Sequence, residues 1–178
     1  MNRRAVVAAV LIGVMILISG LVIFDGDTSP MPKSPCADVP RPAIDPGSGP
    51  RDRIEVWLSA PNGTVVASVE AQIAATPDAR RRGLQDVDRL DTGEGMLFVH
   101  GSEANWSYST LGVSIPLDAV FAGSTGEIVS IQHATAGEAA AFSGRGQYIL
   151  QVPRGYVNAT GIAVGDCLAV PAGLRNAA

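Results

Sequence analysis

A mainly β (α+β) architecture, a small rolled sheet or partly open barrel with one short helix and a single transmembrane helix before it, is expected from three features of the chain. From Arg53 onward, short runs of alternating apolar and polar residues recur between glycine-bearing turns, the pattern of half-buried strands. Only one short stretch in that region, Thr76 to Gly83, carries both a start and a stop signal for a helix. Ahead of them all, residues 5–24 contain no charge and only Ser19 as a polar side chain.

That apolar run is long enough, at ~1.5 Å per residue, to cross ~30 Å of hydrocarbon. Arg3 and Arg4 precede it, and Asp25 and Asp27 follow. The positive-inside bias therefore puts the N-terminus in the cytoplasm and the rest of the chain outside the cell membrane, single-pass. No Ala-x-Ala site follows the run, so a retained anchor is expected over residues 1–24 rather than a cleaved signal. Residues 25–52 carry seven of the chain's twelve prolines, set among Gly, Ser and Asp without apolar periodicity, and are expected to form a linker. The extracytoplasmic domain is expected over 53–171, with 172–178 as a tail.

Within the domain, Ile54, Val56 and Leu58 alternate with polar or amphipathic residues, Pro61-Asn62-Gly63 turns the chain, and Val65 to Ile73 alternates again. Asn-Gly between two such runs predicts a hairpin. Thr76 is placed to cap a helix, Pro77 suits its first turn, and Arg80, Arg81 and Arg82 complement the dipole before Gly83 ends it. Those arginines could otherwise bind an anion through their forked guanidiniums. Gly95 to Val99 reads as a central strand buried on both faces, and Ala134 to Gly146 as a loop at the rim. Ile115 to Phe121 and Glu127 to His133 form a second hairpin, in which Leu117, Ala119 and Phe121 share one face and Asp118 and Val120 the other.

The net charge of -4 argues against nucleic acid, whose phosphates call for a basic face. The two histidines and two cysteines show no metal-ligand spacing, and no P-loop, dinucleotide fingerprint or Gly-x-Ser-x-Gly elbow is present. No metal or cofactor is therefore expected. Cys36 and Cys167, outside the cytoplasm, are candidates for a disulfide. Asn62, Asn105 and Asn158 each open an acceptor sequon for glycosylation. Asp118, desolvated in its strand, is either an acid or base working with His133 or an acceptor of backbone N–H bonds, from the loop after Gly123 or the turn before Ile115, that holds the architecture.

Arg82-Gly83-Leu84, Gly93 to Val99, Ser114 to Asp118 with Phe121, and Tyr148 to Gly155 through Gly161-Ile162 and Val164-Gly165-Asp166 occur in the order found in the domain-of-unknown-function 192 family. The chain resembles that family from about Val65 to Val170. The resemblance implies a compact, mainly β domain with a short helix, often exported or membrane-tethered, and no particular activity. The family usually reads Phe-Trp-Met-Lys-Asn before its Ile-Pro-Leu-Asp, where this chain has Tyr108-Ser109-Thr110-Leu111-Gly112, without the Lys and Asn. The expected function is non-enzymatic binding of an envelope glycan, polymer or protein in a recess lined by Trp106, Tyr108 and Asp118, since aromatic faces beside a polar group suit sugars. The alternative is a hydrolase or lyase using Asp118 with His133.

Overall fold

The computed structural model describes residues 33–42, 53–136 and 141–174. The first hairpin pairs β1 (Arg53–Ser59) with β2 (Val65–Ala74) in antiparallel register, and at its turn the Asn62 side chain accepts from the Thr64 N–H at 3.0 Å. A crossover through α1 (Pro77–Arg82) then returns the chain to the same sheet, so β3 (Glu94–Ser109) runs parallel to β2. Thr76 caps α1 by accepting from the Ala79 N–H at 3.2 Å, and Gly83 closes it. The remaining elements are β4 (Leu117–Ala122), β5 (Ile128–Ala134), β6 (Ala141–Pro153), a helix α2 (Tyr156–Thr160) and β7 (Cys167–Ala169).

The strands form a single sheet in the order β5-β4-β6-β3-β2-β1-β7, with β3 in the middle. Its two edges meet: the Ile128 N–H donates to the Asp166 carbonyl at 2.8 Å, and the Leu168 N–H to the Gly126 carbonyl at 2.8 Å. This contact rolls the sheet into a partly open barrel. It depends on Gly126, which has φ +93 and where a Cβ would fall 2.5 Å from the Leu168 carbonyl oxygen. All seven strands and α2 supply the core of the inner face, which includes Leu58, Val69, Leu97, Val120, Leu150 and Leu168. A second core covers the outer face, where Met96, Phe98, Phe121 and Ile149 pack against Leu84 and Val113 from the connections beside α1. Burial on both sides explains why β4 is apolar at every position except Asp118.

Three details depart from the expectations. β3 does not stop near Val99 but continues, through an irregularity between Val99 and Ala104, to Ser109. Its extension pairs with Ala141 to Gly146, which were expected in a loop and instead begin β6. The second helix, α2, was not expected because it has a glycine at each end and no side-chain cap of its own.

Residues 33–42, expected within a linker, pack against the domain. Cys36 is fully buried and joined to Cys167 by a disulfide, and Cys36 and Val39 cluster with Ala169 and Trp57. Arg41 donates to the Val170 and Cys36 carbonyls at 3.2 and 3.0 Å, and Ser34 donates to Glu127 at 2.9 Å. Among the described residues no helix is long and apolar enough to cross a membrane. The run 5–24, expected to do so, lies outside the described residues.

Candidate functional site

The Asp118 carboxylate is 1 % exposed and engaged at both oxygens. One accepts from His133 Nδ1 at 2.7 Å and lies 3.6 Å from Arg154 Nε. The other accepts from the Gly155 N–H at 2.9 Å and the Val157 N–H at 3.2 Å. Because a carboxylate only accepts, His133 carries its proton on Nδ1. Asp118 thus supplies the missing cap of α2 from a neighbouring strand, satisfying N–H groups that the helix's own sequence leaves open. These donors are in the β6–α2 turn and α2 itself, not in the loops flanking β4. His133 and Arg154 keep about half of their side chains exposed.

The larger recess is on the other face of the sheet. It has a volume of about 420 Å3 and lies between α1 and the extended half of β3. Strand alternation brings Phe98, Trp106 and Tyr108 to this side, next to Phe142 and Ile149. The Trp106 indole stacks on the His100 ring with centroids 3.6 Å apart, and its Nε1 donates to the Gly146 carbonyl at 3.0 Å. His100 Nε2 hydrogen-bonds the Tyr108 hydroxyl, while Gln147 holds the His100 carbonyl at 3.1 Å. Arg80 reaches in from α1 and donates to the carbonyls of Ala75 and, at 2.7 Å, Val99. Burial, with the Arg80 charge second, lowers the His100 pKa to about 4, so the ring is neutral at pH 7. Burial pushes the Tyr108 hydroxyl well above its usual range, slightly opposed by Arg80.

This arrangement predicts a pH dependence. Between about 6.5 and about 4 the unfolded chain protonates at His100 while the folded chain does not, so stability falls with pH through that window and is unaffected by this group above it. The His100→Gln variant, which cannot titrate, is expected to show a shallower acid decline of its urea midpoint. An unchanged decline contradicts a buried neutral imidazole.

Trp106 and Tyr108 line the recess, but Asp118 does not, because it points to the opposite face from its neighbours Leu117 and Ala119. Asp118 and His133 do meet, yet neither lines this recess or the smaller one of about 250 Å3 beside Pro116 and Arg154. Asn62, Asn105 and Asn158 are all exposed. Among the described residues no cluster of three or more His, Cys, Asp or Glu side chains could hold a metal ion. His100 and Gln151 were not picked out from the sequence as site residues. The signal was Gln151 itself, a polar side chain within an apolar strand and, by alternation, on the face of Ile149.

Fold and site together define a small mainly β domain: a rolled seven-stranded sheet with a capped helix at one end and an aromatic recess on its outer face. The chain belongs to the DUF192 family, described as "Uncharacterized ACR", whose pattern matches residues 58–170. Among solved structures it is similar to a candidate transcription regulator from Sinorhizobium meliloti 1021, with 26% identity, a TM-score of 0.62, and coverage of 68% of this chain and 96% of that one. It is also similar to a protein of unknown function from Novosphingobium aromaticivorans DSM 12444, with 22% identity, a TM-score of 0.61, and coverage of 76% and 96%. No curated protein matches the sequence.

Proposed function

We propose that this chain is a membrane-tethered, extracytoplasmic, non-enzymatic module that binds an envelope saccharide in the recess between α1 and β3. The observation that carries the reading is the fixed indole of Trp106, braced by His100 on one face and by Gly146 at its nitrogen. A side chain already held in place loses little freedom when a ligand arrives, which favours binding. The recess volume of about 420 Å3 is within the range of small-ligand sites, roughly 300–1,000 Å3. Tethering outside the cytoplasm is supported by the apolar run 5–24 with its flanking charges and by a disulfide, which persists in oxidising compartments. The net charge of -4 disfavours DNA as the ligand.

The test uses the full-length protein in detergent micelles against an array of envelope oligosaccharides. At least one class is expected to bind, and Trp106→Ala to weaken it about tenfold or more, with partial recovery in Trp106→Phe. An array without any binding, or binding indifferent to Trp106, rejects the reading. The alternative, a hydrolase or lyase, is favoured only by the 2.7 Å contact between Asp118 and the half-exposed His133. Against it, the second carboxylate oxygen is committed to α2, and among the described residues no hydroxyl or thiol bonds His133.

A further inference from the structure

Resting on that reading, we infer that the recess selects an acidic saccharide, a sugar ring bearing a carboxylate, with Arg80 and Arg82 taking the acid group and Gln151 a ring hydroxyl. Three independent observations converge. First, the protein is acidic overall, yet the recess is lined by three arginines and by no Asp or Glu. Arg81 is paired with Asp78 at the surface. Arg80 and Arg82 have no carboxylate partner among the described residues, and Arg80 is partly buried, held only by the neutral carbonyls of Ala75 and Val99. A partly desolvated cation without a counter-ion is a standing attraction for an anion.

Second, Gln151 is 5 % exposed, lines the recess, and makes no side-chain hydrogen bond to any described residue. A carboxamide that opens on the recess without a protein partner suits a hydroxyl, which can give and take one bond. Third, Phe98, Trp106 and Tyr108 give the recess an aromatic stretch of wall. An inorganic anion has no use for such a wall, whereas the C–H face of a sugar ring does. The flat guanidinium fork also matches a planar carboxylate, with two parallel N–H···O bonds available from a single arginine.

The experiment compares three probes on the full-length protein in detergent micelles at neutral pH: an oligogalacturonate, its methyl ester, and inorganic phosphate. The ester keeps the rings and removes the charge. The acid is expected to bind about tenfold or more tighter than the ester. That preference is expected to shrink in Arg82→Gln, an exposed position whose change leaves the fold intact, and at raised ionic strength. Gln151→Leu is expected to weaken acid and ester alike. Equal affinity for acid and ester, or a preference indifferent to Arg82, overturns the inference while leaving a neutral-saccharide site standing. Phosphate displacing the oligogalacturonate at equal concentration also overturns it, since a bare anion would then suffice. Failure of both saccharides in wild-type protein whose array does show Trp106-dependent binding overturns the acid preference alone; an empty array removes the underlying reading with it.

Discussion

Asp118→Ala is expected to destabilise the protein by about 3–5 kcal/mol, the range for breaking a buried charged network from one side. The carboxylate joins four partners from three parts of the chain: His133 on β5, Arg154 at the end of β6, and the N–H groups of Gly155 and Val157 at α2. Removing it leaves the Val157 N–H buried and unpaired, and loosens α2 from the inner core, to which Tyr156 and Val157 contribute. Arg154 adds little, being 3.6 Å away and partly solvated. Asp118→Asn should cost less, about 1–3 kcal/mol, because its carbonyl oxygen can still accept from α2 while its amide faces a His133 of the opposite tautomer. Urea unfolding checks both. A loss under about 1 kcal/mol in the alanine variant contradicts the architectural role. Unchanged saccharide binding in the folded asparagine variant would agree with the separation of Asp118 from the recess.

Reducing the Cys36–Cys167 bridge, or replacing both cysteines with serine, is expected to lower stability by up to about 5 kcal/mol. The two residues are 131 apart in sequence, so the bridge removes a long loop's worth of freedom from the unfolded chain. The loss should also free residues 33–42, whose burial against Trp57 depends on Cys36, and so raise amide exchange at Arg41 and on β7. A reduced protein with the oxidised protein's urea midpoint would show that Val39, Arg41 and the rest of the docked segment suffice without the bridge.

Local chemistry made much of the architecture legible in advance. Asn62-Gly63 turns β1 into β2, Thr76 and Gly83 bound α1, and two-residue alternation puts Asp118 opposite Leu117 and Ala119, because each depends on neighbours in sequence. α2 escaped notice for the opposite reason: its capping group is on β4, 37 residues before Gly155. The continuation of β3 to Ser109 was hidden likewise, since it is drawn out by pairing with Ala141 to Gly146, and its own residues are alternately exposed and half-buried rather than clearly apolar. Grouping Trp106, Tyr108 and Asp118 in one recess failed because proximity between strands depends on sheet face as well as on residue type.

By itself, the sequence determined a mainly β domain, its first hairpin, its short helix, a central strand at Gly95 to Val99 and the faces to which the residues of the first hairpin and of β4 turn. Those follow from backbone geometry and from which side chains avoid water. Only the tertiary structure decided that β3 runs on to Ser109 beside β6, that Arg80 of α1 reaches the carbonyl of Val99, and that Gln151 of β6 joins the same recess. The order of strands and the parallel crossover from β2 to β3 are selected by how two apolar faces can be buried at once, a condition on the whole chain that no local stretch expresses.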